Sequence, residues 1–306
     1  MSPPETLVMP YNETSIARAA QLVLAGQPVA VPTETVYGLA ADATSAEAVA
    51  RIYAAKGRPS FNPLIVHVPD LAAAQRLGVF DDDARALAEA HWPGPLTIVV
   101  PARGDNGIAA IVTAGLGTIA LRVPAHPAMQ ALLAATRRPL AAPSANASGR
   151  ISPTRAAHVL ASLDGRIALV IDGGATARGI ESTIVAATGG GLRLLRRGPI
   201  EVDAPLASGE IEAPGMMASH YAPTKPLRLN ATEARDGEYL IGFGDVVGDA
   251  TLSESGDIVE AAARLFDLLH LADASDKPRI AIAPLPTEGL GAAINDRLTR
   301  AAAPRA

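Results

Sequence analysis

The chain has 306 residues, 49% hydrophobic and 19% charged, a globular composition long enough for two domains. Its net charge of −5 argues against a broad polyanion-binding surface, and the lack of cysteine excludes disulfides, thiolate metal sites and thiol catalysis. No signal peptide and no apolar run of membrane-spanning length is visible, so the expectation is a cytoplasmic protein with no membrane partner.

Helical and strand signals alternate along the chain. Residues 14–25 repeat apolar positions at helical spacing (Ile16, Ala20, Val23, Leu24), and Gly26 ends the run. Val29–Val31 predicts a short strand cut by Pro32. The turn Thr33-Glu34-Thr35, rich in hydroxyl and carboxylate groups, is followed by one helix's worth of sequence. Ser45 can cap that helix through Val49, Ile52 and Tyr53, with Gly57 just past its end. Leu64–Val68 predicts a strand. Asp81, Asp82 and Asp83 favour a helix start that runs to about His91. Leu96–Val100 and Ile119–Val123 predict strands. Ser152-Pro153 reads as an N-cap with proline at N1, opening a helix to about Leu163. Ala168–Asp172 predicts a strand. Ser182–Ala187 and Leu192–Arg196 flank three glycines, a hairpin signal. Residues 201–225, with Pro205, Pro214 and Pro223 and little periodicity, read as a linker. Strands near Leu227–Leu229, Tyr239–Phe243 and Ile280–Ala283, a helix near Ile258–Leu269 and a last helix then make a small α/β unit over 226–306.

Five clusters carry chemistry. Lys56 and Arg58 stand two residues apart past a helix end, before an irregular stretch through Asn62. They either complement the helix dipole or, with the amide, grip phosphate oxygens. Ser144-Ala145-Asn146 follows a short apolar strand. It is either a polar turn or a strand-end loop offering hydroxyl and amide groups to a ligand. Arg122 lies in a mostly apolar strand just after Thr118. Facing inward, it needs an anion; facing outward, it is an edge residue. Arg178, Glu181, Ser182 and Thr183 crowd a strand start, and Arg196-Arg197 a strand end; each can equally be solvated polar surface. No Walker loop is present, the glycines at 242, 244 and 248 have the wrong spacing for a dinucleotide fingerprint, and the six histidines include no close pair, so no metal site is expected.

Taken in order, PTETVYGL, AKGRPSFNPLIVHV, PGPLTIVV, GTIALRVP, PLAAPSANASGRISPT, IDGG, ESTIV and LLRRGPI resemble the threonylcarbamoyl-AMP synthase family over about residues 14–200. APGMMASHYAP, at 213–223, is similar to the linker of that family's longer form. The resemblance implies a twisted mixed-sheet α/β catalytic domain of the YrdC type (10–200), a linker (201–225) and a small Rossmann-like α/β C-terminal domain (226–306). It implies formation of L-threonylcarbamoyl-AMP and pyrophosphate from L-threonine, bicarbonate and ATP, with Mg²⁺ carried on the ATP phosphates. The product would pass to a downstream tRNA threonylcarbamoyl transferase, and no stable direct tRNA binding is expected.

By position, the resemblance puts Thr35, His67, Arg122 and Ser182 at the threonine. It puts Arg58, Asn62, Thr118, Ala142, Ser144, Asn146, Ser152, Arg196 and Tyr221 at the nucleotide. Lys56 and Arg58 are the residues expected to neutralise charge in the reaction, and Tyr221 is expected to close over the site. Two other readings remain at this stage: a double-stranded RNA-binding protein, and a carbamoyl-transfer domain of another pathway.

Overall fold

A computed structural model describes residues 5–59, 61–207 and 220–304. The first two-thirds of the chain builds β1 (Leu7–Pro10), α1 (Glu13–Leu24), β2 (Val29–Pro32), β3 (Tyr37–Asp42), α2 (Ala46–Lys56), β4 (Ile65–His67), α3 (Leu71–Leu77) and α4 (Asp82–His91). It continues with β5 (Leu96–Pro101), α5 (Ala110–Thr113), β6 (Thr118–Arg122), α6 (Pro127–Thr136), β7 (Leu140–Ala141), α7 (Ala156–Leu163), β8 (Leu169–Asp172), β9 (Thr183–Ala187) and β10 (Leu192–Arg196). These strands form one mixed ten-stranded sheet in the order β1-β8-β2-β3-β7-β4-β6-β5-β9-β10.

The local chemistry explains several boundaries. Ser45 accepts a hydrogen bond from the Ala48 amide at the start of α2, and Gly57 ends that helix in the left-handed region. Asp81 caps α4 in the same way. The expected cap at Ser152 does not form. α7 starts at Ala156, and the Ser152 hydroxyl instead donates to Glu181. Strand β3 and helices α3 and α6 were not foreseen. Gly38 and the alanines of β3 give weak strand signals, yet a Cβ at Gly38 would lie 3.3 Å from the Ala142 Cβ, so glycine there permits close packing beside β7.

The remainder builds β11 (Leu227–Arg228), β12 (Glu238–Gly242), β13 (Ala250–Thr251), α8 (Ile258–Ala274), β14 (Arg279–Ile282) and α9 (Gly289–Ala302). Its strands pair in parallel, in the order β11-β14-β12-β13. The protein is therefore α/β, with a large mixed sheet and a smaller parallel one. Most of the expected linker, residues 208–219, lies outside the described residues.

Two features position the site. On one face of the large sheet, Ile65, Val99, Ala120, Ile184, Ala186 and Leu195 make a small apolar floor. Opposite, Val36, Ile151, Ile180 and Tyr221 share one core with Phe266, Leu269 and Ile294 of the C-terminal unit. The two units are thus joined by buried apolar surface, the dominant favourable term in association. Gly179 marks how close they come: a Cβ there would lie 2.3 Å from the Ala262 carbonyl oxygen of α8.

Candidate active site

Between floor and C-terminal unit lies a cavity of about 550 Å³, its mouth included. Strand ends supply its walls. The turn before β3 gives Thr33, Thr35 and Val36, and β3 gives Gly38; β4 gives Ile65 and His67; β6 gives Arg122; the segment after β7 gives Ala142, Pro143 and Ser144. Glu181 and Ser182 precede β9, Arg196 ends β10, and Arg58, His220 and Tyr221 complete the lining.

The sequence folds this way for local reasons. The Thr33 hydroxyl donates to the Val36 carbonyl at 2.7 Å and sits 2.8 Å from the Thr35 hydroxyl, closing the turn that aims Thr35 inward. β4 and β6 run parallel with His67 opposite Arg122, so alternation puts both side chains on the face that carries Ile65 and Ala120. The Arg122 guanidinium donates to Glu34 at 2.6 Å and to the Gly94 carbonyl at 3.3 Å. Glu34 also accepts from the Ala125 amide at 3.0 Å. Burial opposes the Glu34 charge, but Arg122 outweighs it and holds the carboxyl below its ordinary range. Arg122 lines this cavity, and among the described residues its Nη1 makes no hydrogen bond.

Two further guanidiniums face the same space. Arg58 donates to the carbonyls of Asn62 and Pro63, at 3.4 and 3.1 Å. Burial lowers its pKa to about 10, which leaves it charged at neutral pH. Arg196 donates to the Ser182 carbonyl and hydroxyl, both at 3.0 Å, while that hydroxyl lies 2.8 Å from the Thr97 hydroxyl. His67 is 2% exposed, and burial followed by the Arg122 charge holds its pKa at about 3, so the ring is neutral. Three residues lining this cavity each carry a buried polar atom, His67 Nδ1, His220 Nδ1 and the Tyr221 hydroxyl, that has no hydrogen-bond partner among the described residues. Unpaired buried polar groups cost roughly 1–3 kcal/mol each, so three around one cavity point to a polar ligand.

Of the residues expected at ligands, Thr35, Arg58, His67, Arg122, Ala142, Ser144, Ser182, Arg196 and Tyr221 meet at this cavity. Lys56, Asn62, Thr118, Asn146 and Ser152 do not line it. Lys56, 2% exposed, donates to the carbonyls of Ser144 and Asn146 at 2.5 Å each, and burial followed by Arg58 pushes its pKa well below that of a free lysine. Asn146 uses its amide on the carbonyls of Ala147 and Arg150. The pair KxR and SxN is thus physically one unit: Lys56 ties down the loop that presents Ser144. Thr118 opens β6 opposite Pro101, roughly 13 Å along the strand from Arg122.

Some site residues were not assigned from sequence. Glu181 is a wall carboxylate held by Arg297, and Glu34, which does not line the cavity, is held by the lining residue Arg122. Tyr221 adopts a left-handed backbone (φ 62°) that turns its ring inward, edge-on to His220 with centroids 4.1 Å apart. His158 and His270, far apart in sequence, stack at 3.8 Å beside Asp267 where α7 meets α8.

A family model described as "Telomere recombination" matches residues 21–198, and one described as "Threonylcarbamoyl-AMP synthase, C-terminal domain" matches residues 176–303. Fold and site therefore define a Sua5/YciO/YrdC-type mixed-sheet protein extended by a small parallel α/β unit. The chain belongs to the threonylcarbamoyl-AMP synthase family. Threonylcarbamoyl-AMP synthase of Bacillus subtilis is 40% identical over 96% of this chain and 94% of its own. A Sua5 of Pyrococcus abyssi solved with L-threonine superposes with a TM-score of 0.84, at 34% identity and 97% coverage of both chains. A doubly substituted variant of that Sua5 superposes with a TM-score of 0.87 at 33% identity, covering 97% of this chain and 96% of its own.

Proposed function

We propose that this chain is an L-threonylcarbamoyladenylate synthase. It would form L-threonylcarbamoyl-AMP and pyrophosphate from L-threonine, bicarbonate and ATP, for threonylcarbamoyladenosine modification of tRNA. The observation that carries the reading is the near-complete match to a threonine-bound Sua5, supported by a cavity here that is lined by three arginines and by three residues with unpartnered buried polar atoms.

The geometry supports a division of labour. Arg122, with Nη1 unused, pairs with the threonine carboxylate, while Thr35, His67 and Ser182 surround the rest of that amino acid. A neutral His67 offers a hydrogen-bond partner without adding charge. Arg58 and Arg196 face the triphosphate, and Ala142, Ser144 and Tyr221 shape the nucleoside end. Lys56, Asn146 and Asn62 act on the ligand indirectly: the first two fix the Ser144 loop, and the Asn62 carbonyl orients Arg58. Ser152 supports the wall through Glu181.

The neutral amine of threonine takes up bicarbonate as a carbamate, releasing water. A carbamate oxygen attacks the α-phosphorus, the bond to the β-phosphate oxygen breaks, and pyrophosphate leaves with the electron pair. Such transfer depends on positioning and charge neutralisation, which fixed arginines supply. Glu181 on the wall and Glu34 beside Arg122 are both taken by arginine, and among the described residues no cluster of metal-ligating side chains occurs. That suits Mg²⁺ arriving on the phosphates of ATP. The downstream tRNA threonylcarbamoyl transferase and the cytoplasm are the corresponding partner and setting. No helix of the described residues is long and apolar enough to cross a membrane.

The test is incubation with ATP, L-threonine and radiolabelled bicarbonate. Label should enter an adenylate, with matching pyrophosphate, only when all three are present. Label that never enters an adenylate would overturn the reading.

A further inference from the structure

We propose that Arg297, on the last helix of the C-terminal unit, is a positioning residue for the nucleotide end of the cavity, acting through Glu181. The proposal rests on the synthase reading above.

Among the described residues, Arg297 is the largest that is wholly buried. Its Nε lies 3.2 Å from Glu181 Oε2, and its Nη1 donates to the Arg197 carbonyl at 2.6 Å. Its guanidinium carbon stands 5.7 Å from the centre of the Tyr221 ring. Glu181 and Tyr221 line the cavity, and Arg197 directly follows the lining residue Arg196. One side chain from the small unit thus touches three supports of a site built on the large sheet. Burial works against its charge, but Tyr221, Glu181 and Asp296 outweigh it and raise its pKa.

A simple bolt between the units would not need this chemistry. The shared core of Tyr221, Phe266 and Ile294 already joins them, and a buried ion pair is often no better for stability than an apolar contact of the same volume. What the pair does achieve is local. Glu181 is a carboxylate on the wall of a cavity read here as holding a triphosphate. Left unpaired, it would repel that anion. It would also lose one of the two groups that fix it, the other being the Ser152 hydroxyl. Arg297 therefore holds a negative wall residue neutral in sum and fixed in place. Among the described residues, no hydrogen bond or ion pair joins Arg297 to Arg122 or Glu34, the pair that organises the threonine carboxylate site.

The experiment compares full-length wild type, Arg297→Met, Arg297→Lys and the double variant Glu181→Gln/Arg297→Met, with folding followed by thermal melting. Wild type must first give labelled adenylate; if it does not, the synthase reading fails and this proposal with it. Given active wild type, Arg297→Met should raise KM for ATP by about ten-fold or more while KM for threonine stays within about two-fold. Removing both charges should bring KM for ATP back to within about three-fold of wild type, because no unpaired carboxylate remains. The two KM values rising together, an unchanged KM for ATP, or a double variant no better than the single one would each overturn the proposal. Should Arg297→Met not fold, Arg297→Lys keeps charge but loses the fork and is judged alone. A rise confined to KM for ATP supports the role, and any other pattern refutes it.

Discussion

The cavity has two sides of different origin. The sheet side is made of residues close together in sequence, Thr33, Thr35, Val36 and Gly38, then Ile65 and His67, Ala142–Ser144, and Glu181 with Ser182, each group in or next to a strand. The C-terminal side is made of single residues that arrive from far along the chain: Tyr221 on the lining, and Arg297 behind it, whose partner Glu181 is 116 positions away. The first side sets what the cavity can bind. The second sets how firmly the walls are held and how the cavity is covered. Substitutions on the sheet side should therefore abolish the reaction, and those at the junction should weaken it.

The largest effects test the sheet side. Arg122→Ala and Arg58→Ala should each lower kcat/KM for adenylate formation by at least about 100-fold, and Arg58→Ala, which takes the donor from two buried carbonyls, should also lower the melting temperature. Arg122→Ala also leaves Glu34 buried without its partner, so its melting temperature should fall as well. Turnover like wild type in either would break the assignment of charge to that side. Next comes Lys56→Met, which separates touching the ligand from shaping the wall. It removes the donor shared by two buried carbonyls, so roughly 2–4 kcal/mol of stability should be lost along with activity. Lost activity with unchanged stability would mean that Lys56 meets the ligand directly.

These residues also show how far the sequence could be read. The motif order pointed to the α/β fold, and the family resemblance, carried position by position, pointed to nine lining residues. A charge pattern shows which groups are present but not what they bond. Lys56 therefore looked like a ligand group, although its ammonium is spent on the Ser144 loop. Ser152 looked like a helix cap because Ser-Pro has that local meaning, but its hydroxyl is captured by Glu181, a tertiary partner that no local pattern reveals. Arg297 sits in an amphipathic helix where an arginine reads as solvated surface. The stack of His158 on His270 joins two helices from different units. Such contacts come from the packing of the units, and single-sequence periodicity carries no record of them.

A smaller effect probes the junction. Gly179 has φ 69°, and its α-carbon abuts the backbone of α8. Gly179→Ala should push the units apart and cost about 1–3 kcal/mol in unfolding free energy. Adenylate formation should be reduced, not abolished. Stability equal to wild type would mean that the junction is looser than described.

The smallest effect at neutral pH concerns protons. His67 and His220 have folded pKa values of about 3, against 6.5 when free of the fold, with burial the main cause in both. Between those values the unfolded chain binds more protons, so stability should fall as pH drops below about 6.5. The slope is roughly 1.4 kcal/mol per pH unit for each such histidine. Denaturant melts from pH 8 to pH 4 should show this loss, and His67→Gln should make the curve shallower. Stability that holds constant down to pH 4 would contradict neutral, buried rings.

The most direct measurement of the central claim is a crystal structure with L-threonine and a non-hydrolysable ATP analogue bound together. The account predicts both ligands in the one cavity, with the threonine carboxylate on Arg122 and phosphate oxygens reached by Arg58 and Arg196. Ligands bound at separate places, or a triphosphate away from those two arginines, would contradict it.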